Sequence, residues 1–148
     1  MIFRDSQSLL FEVSARRSTG QSIVFTNGCF DLLHPGHLHL LDEASELGYL
    51  IVAINGDASV RQLKGPTRPY WPASHRAELL SRMGYHVVIF EDETPASLIA
   101  AIQPDVLVKG DDYRGRPIVG ESDCGRIHIV SRLPGFSTSL LAEQIARQ

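Results

Sequence analysis

Two histidines three positions apart, His34 and His37, sit in His34-Pro35-Gly36-His37, after the apolar run Ile23-Val24-Phe25 and the turn-forming Thr26-Asn27-Gly28-Cys29-Phe30-Asp31. Leu38, Leu40, Leu41 and Ala44 follow at helical spacing, so the stretch reads as strand, loop, helix. Both imidazoles then flank the start of a helix, one turn apart. Backbone N–H groups and the positive end of the helix dipole favour an anion there, and two ring donors on the same side add to that preference. The pattern is a seat for phosphate. Plainer readings of the pair are capping residues, or a metal pair with Cys29 nearby.

Further donors are spread along the chain: Lys64 on a proline-rich loop, Arg76 in the helix after it, and Ser137-Thr138-Ser139 opening the last helix. Such a set suits transfer of a nucleotidyl group from a nucleoside triphosphate to a phosphate or phosphonate oxygen. The nucleophile is already ionised, so the site must align two anions and neutralise charge on the phosphorus and the departing pyrophosphate. Mg²⁺ is expected to travel with the triphosphate, since magnesium keeps several waters and binds substrate phosphates. Asp31 is read as an outer contact, and no protein metal site is expected. Lys64 and Arg76 also have ordinary readings as a loop lysine and a solvated helix arginine, and Asp111 and Asp112 as turn caps.

The elements that must position these residues alternate. Strands are expected at 22–26, 50–55, 86–90, 105–109 and 126–130. Helices are expected at about 5–17, from His34 to Leu47-Gly48, at 58–63, 74–83, 95–102 with Thr94 as cap, and 137–147. The run Leu50-Ile51-Val52-Ala53-Ile54 is that of a parallel strand covered on both faces. This order predicts an α/β fold, a Rossmann-like doubly wound parallel sheet in a single domain over residues 1–148, with ligands at the carboxyl ends of the strands. Asn27 to Asp31, Asn55-Gly56-Asp57, Lys109-Gly110-Asp111-Asp112-Tyr113 and Ser131-Arg132 all follow strand ends and should meet in one crevice. The loop from Lys64 to Pro72 is a candidate lid or binding segment.

Composition sets the limits. At 148 residues the chain buries roughly 70% of its unfolded surface as one domain. A net charge of −3 with 21% charged residues leaves no basic excess for nucleic acid or membrane surfaces, so phosphate binding must be local. Two cysteines far apart, Cys29 and Cys124, argue against a disulfide framework and fit a reducing cytoplasm. No run approaches the roughly 20 apolar residues of a membrane span, and the start has no signal-peptide order.

His34-Pro35-Gly36-His37 is an HxGH signature, and with Thr26 to Leu33 before it the chain resembles the cytidylyltransferase-like nucleotidyltransferases from Ile23 onward. The resemblance implies that His34 and His37 stabilise the transition state, with Lys64 and Arg76 matching the family's loop cation and helix arginine. Arg132, Gly135, Ser137, Thr138 and Ser139 meet its closing R-x-x-G-x-S-T-[ST] pattern. Nucleotide and phosphate binding is assigned to Asn27, Gly28, Cys29, Phe30, Gly36, Lys109, Gly110, Asp112, Ser137, Thr138 and Ser139, and acceptor binding to Asp31, Asn55, Asp57 and Arg132. Thr26 to Asp31, Asp57 to Arg61, Leu63-Lys64-Gly65 and Pro104 to Gly110 look like heptose 1-phosphate adenylyltransferases of lipopolysaccharide precursor synthesis, which use ATP. Gly110-Asp111-Asp112-Tyr113-Arg114-Gly115 looks instead like the Gly-Asp-Asp-Trp segment of glycerol-3-phosphate cytidylyltransferases. That segment lies near the expected base pocket, so CTP with a glycerol phosphate or hydroxyalkylphosphonate acceptor is the leading expectation and ATP with heptose 1-phosphate the alternative. The family also implies a homodimer and, in many members, a fused partner enzyme. The reading from another class is a nucleotide-binding regulatory module without turnover.

Overall fold

The computed structural model describes residues 1–148. Six parallel strands form one sheet in the order β1-β4-β3-β2-β5-β6. They are β1 (Ile2–Phe3), β2 (Ile23–Gly28), β3 (Tyr49–Asn55), β4 (His86–Phe90), β5 (Val106–Gly110) and β6 (Arg126–Val130). The helices are α1 (Ser6–Ser18), α2 (Pro35–Ser45), α3 (Asp57–Lys64), α4 (Ala73–Arg82), α5 (Ala96–Ile102) and α6 (Thr138–Ala146). The α/β reading therefore holds, and every expected helix is present within a few residues of its expected ends. Thr94 is one place too early to be the cap of α5: Pro95 holds that position, and the Thr94 hydroxyl accepts from Ala96 N–H at 3.4 Å.

Strand alternation divides the core between the two faces. Ile23 and Phe25 of β2 and Ile51 and Ala53 of β3 pack with Leu9 and Val13 of α1 and Ile99 and Ile102 of α5. Val24, Val52 and Ile54 pack on the other face with Leu41 and Ala44 of α2 and Ala77 and Leu80 of α4. All seven residues of β3 are buried, which matches its apolar run from Leu50 to Ile54, and the polar Asn55 closes the strand. Gly48, at φ 153°, ends the connection from α2, where a side chain would run into the backbone of Ser22.

The topology locates the crevice. From β2 the chain moves to β3 on one side, and from β4 it crosses back over α5 to β5 on the other side of β2. The loops leaving β2 and β5 therefore diverge at a topological switch point, where open parallel sheets bind ligands. The β2–β5 register sets Thr26 beside Val108, and the Thr26 hydroxyl donates to the Val108 carbonyl at 3.0 Å.

Central burial of this kind makes the sheet sensitive to lost volume. Ile51→Ala is expected to cost about 2–5 kcal/mol in denaturant unfolding; a loss below about 1 kcal/mol would mean that the two helical layers do not close on β3 as described.

Candidate active site

A cavity of about 620 Å³ opens over the carboxyl ends of the strands, walled by the starts of α2 and α6. His34 caps α2. Gly36 N–H donates to His34 Nδ1 at 3.1 Å, and His34 N–H donates to His37 Nδ1 at 3.3 Å. With Nδ1 accepting in each ring, the neutral imidazoles carry their protons on Nε2. The rings stack with centroids 3.8 Å apart, and both line the cavity. Gly36 permits this, since a side chain there would meet the His34 ring at 3.0 Å. Burial lowers both pKa values. That of His37 falls to about 4, with His34 beside it adding to burial and Asp31 opposing. At neutral pH the pair is two uncharged N–H donors.

The neighbouring wall residues fall largely where the sequence predicts. Asn27, Cys29, Phe30, Asn55, Lys64, Lys109, Gly110 and Asp112 all line the cavity. Gly28 does not. Its missing side chain makes room for the Phe30 ring, which in turn lies tilted against His37 at 5.3 Å. Lys109 is buried, bonds through Nζ to Asn27 Oδ1, and lies 5.0 Å from the centre of the Tyr113 ring. Burial pushes its pKa down to about 8, with Asp112 opposing. The Cys29 thiol is pushed up by burial, against the lowering fields of Lys64, Arg76 and Arg68. Ser137 caps α6 by accepting from Leu140 N–H at 3.1 Å, and Ser137, Thr138 and Ser139 bring that helix N-terminus to the cavity.

Arg76, Asp57 and Asp31 each find partners within the protein. Arg76 is 1% exposed and does not reach the cavity. Its guanidinium donates to the carbonyls of Trp71, Cys29 and Asn55 and to the Asp57 carboxylate, each within 2.7–2.8 Å. Arg76 thus ties together the ends of β2 and β3, the proline loop and the start of α3. Asp57 is spent on the same tie and on Ala73 N–H, so neither residue is free to bind an acceptor. Asn55 lines the cavity, but its amide donates to Ser59.

Asp31 is buried, and its carboxylate accepts from Arg68 Nε at 2.8 Å and from Tyr70 and Trp71 N–H. Its carbonyl accepts from the Thr138 hydroxyl at 2.8 Å. The expected acceptor contact is therefore the pin that seats the 64–72 loop and α6 against the histidine loop. Arg132 lines the cavity with its charge shared by Asp111 and Asp112, at 3.6 and 3.5 Å, while Asp111 also accepts from Arg132 N–H. Tyr113, in a segment expected at the crevice, is part of the wall, as are Arg68, Glu93 and Thr94, to which the sequence assigned no binding role. Only Arg68 carried a signal, a cation between Pro66 and Pro69 on a loop already read as a binding segment.

The Arg76 tie and the His37 environment are both measurable. Arg76→Met should cost about 3–5 kcal/mol by leaving carbonyls and a carboxylate unpaired; stability near that of the wild type would return Arg76 to a substrate role. His37 has a folded pKa near 4 against an ordinary 6.5, so between these pH values the unfolded chain takes up a proton that the folded chain refuses. Stability falls as pH drops through that window. His37→Asn should flatten the fall by about 2–3 kcal/mol in denaturant titrations from pH 7 to 4, and parallel curves for both proteins would assign the loss to other groups.

Known proteins place this geometry. The bifunctional protein HldE of Acidiphilium cryptum is 52% identical over 130 residues, covering 83% of this chain and 27% of that protein. HldE of Helicobacter pylori is 46% identical, covering 86% of this chain and 28% of its own length. HldE of Syntrophotalea carbinolica is 44% identical, covering 96% of this chain and 30% of its own length. The chain thus spans less than a third of these relatives. Two solved structures share the fold: a lipopolysaccharide core biosynthesis protein from Thermoplasma volcanium (TM-score 0.60, 23% identity, 77% of this chain and 98% of that one) and pantoate-beta-alanine ligase from Francisella tularensis (TM-score 0.58, 15% identity, 100% and 79%). No helix is long and apolar enough to cross a membrane. The family model described as cytidylyltransferase-like matches residues 25–124, more than half the sequence and the whole of the histidine loop, and the chain belongs to that family.

Proposed function

We propose that the chain is a nucleotidyltransferase that moves an adenylyl group from ATP to the phosphate of heptose 1-phosphate or a closely similar sugar phosphate, releasing pyrophosphate. The observation that carries the reaction type is the stacked pair His34 and His37. Two neutral Nε2–H donors stand at a helix N-terminus, in a cavity with a second helix N-terminus at Ser137. An acceptor phosphate oxygen attacks the α-phosphorus of ATP, the bond from that phosphorus to the bridging oxygen breaks, and the electron pair leaves with pyrophosphate. The histidine donors answer charge that grows on the equatorial and departing oxygens, where fixed N–H groups lower the barrier most. Lys64 at the end of α3, Lys109 in β5 and Arg132 in the loop after β6 supply positive charge from separate parts of the chain.

Magnesium enters as the ATP complex. No group of three or more His, Cys, Asp or Glu side chains is arranged to hold a metal ion, and the nearest acid, Asp31, is spent on Arg68 and two loop amides.

The donor base is where the reading departs from the leading expectation of CTP. That expectation rested on Gly110 to Gly115, whose two aspartates both lie against Arg132 and so have a local role that does not involve a base. Similarity of 44–52% to HldE proteins over most of the chain sides with the heptose 1-phosphate adenylyltransferase resemblance. Because those relatives are bifunctional and over three times as long, we also propose that the activity works beside a second one in the same pathway. A homodimer remains part of the proposal from family resemblance.

The test is pyrophosphate release with ATP and CTP in turn, each against heptose 1-phosphate and glycerol phosphate. Turnover is expected with ATP and the heptose, and His37→Asn should lower kcat by about 10²–10³ with little change in ATP affinity. Preference for CTP with glycerol phosphate would overturn the donor and acceptor, and an unimpaired His37→Asn would overturn the mechanism.

A further inference from the structure

Arg68 is poised in a way that bracing a loop does not require. Its side chain is 12% exposed, against 0% for the carboxylate of Asp31 that holds it. Only Nε is committed, donating to Asp31 Oδ2 at 2.8 Å. The guanidinium carbon lies 4.7 Å from the centre of the Tyr70 ring, which fixes the plane from one side. Neither Nη has a protein acceptor, and neither is sealed from solvent, since the one buried side-chain nitrogen or oxygen without a partner is His86 Nδ1. Arg68 lines the cavity, and its Nη groups are the part of the guanidinium left unpaired by the protein.

A guanidinium anchored through Nε presents its two Nη groups as a fork that matches two oxygens of one phosphate. The anchoring carboxylate is itself fixed by Tyr70 and Trp71 N–H, and the same residue holds Thr138 at the start of α6. The fork is therefore oriented before any ligand arrives, which reduces the ordering cost of binding. Lys64, which also lines the cavity, is a flexible point charge and cannot set an angle.

We propose that Arg68 is a bidentate clamp for a substrate phosphate, with Asp31 as the residue that positions it. The turnover readout rests on the nucleotidyl-transfer reading above, whereas the binding readout does not. The ligand class is a phosphate monoester or pyrophosphate group, which either the triphosphate or the acceptor carries. Calorimetric affinities for pyrophosphate, ATP and heptose 1-phosphate, with KM and kcat for both substrates, separate these sources.

Arg68→Lys keeps the charge and loses the fork. It should weaken the clamped ligand about tenfold while leaving the other substrate within about twofold and the melting temperature nearly unchanged. Arg68→Gln should weaken the same ligand further, and Asp31→Asn should weaken that ligand while also lowering the melting temperature. Loss confined to heptose 1-phosphate locates the clamp on the acceptor, and loss on ATP and pyrophosphate locates it on the donor. Equal affinities in wild type and Arg68→Lys, or a wild type that binds none of the three ligands, would overturn the clamp. A wild type that binds them, with affinities that fall in the variants, but turns none over would uphold the clamp and sink the proposed reaction alone.

Discussion

The site depends on a single buried cation. Where parallel strands end and their loops diverge, the last carbonyls lose their ladder partners, and a buried carbonyl without a donor is costly. The chain meets this at the ends of β2 and β3 and in the proline loop by inserting the Arg76 guanidinium, which takes the carbonyls of Cys29, Asn55 and Trp71 together. Asp57 balances the charge at 2.8 Å. Burying such a pair adds little net stability over an apolar replacement. Its effect is geometric: the ends of β2 and β3 and the proline loop acquire fixed positions relative to one another.

Asp31 makes the second tie. Arg76 fixes the floor of the crevice, and Asp31 joins its rims by seating the 64–72 loop through its carboxylate and α6 through its carbonyl. Between these ties the histidines need only local structure, since each Nδ1 is occupied by a backbone N–H of the same helix turn. Ring centroids 3.8 Å apart disfavour two charges side by side, and burial disfavours even one. The pair offers donors without the repulsion that two imidazolium ions would bring.

Legibility followed locality. The helices and five of the strands were readable because their apolar periods run over several residues, whereas β1, with two residues paired to Val87 and Val88, is too short to carry a period. The histidine pair and the Ser137 cap were readable because each is a motif within one turn of helix. What the sequence did not carry were the partners that Arg76, Asp57 and Asp31 have within the protein, since residue type and order are the same whether a side chain faces a ligand or a neighbouring loop. Apart from Trp71, 5 positions before Arg76, their partners lie 16 to 107 positions away in sequence, and no local pattern encodes such a pairing. Arg68 was missed for the same reason, since its significance comes from Asp31, 37 positions earlier.

The distribution of acids bears on the nucleophile. An alcohol attacking phosphorus needs a base with a pKa near the working pH. His37, with a pKa near 4, is too weak for that task, and Asp31 already accepts three hydrogen bonds. Asp112 lies against Arg132, and Glu93 stays at the exposed rim. A cavity whose central carboxylate is consumed by its own loops, and whose histidines are donors, offers neither a carboxylate nor an imidazole base, and Lys109, its pKa pushed down to about 8, is engaged by Asn27. Such a cavity suits a nucleophile that arrives ionised, as a phosphate monoester does, and the same loop ties that remove the base present the N–H groups and cations that such a nucleophile and a departing pyrophosphate both require.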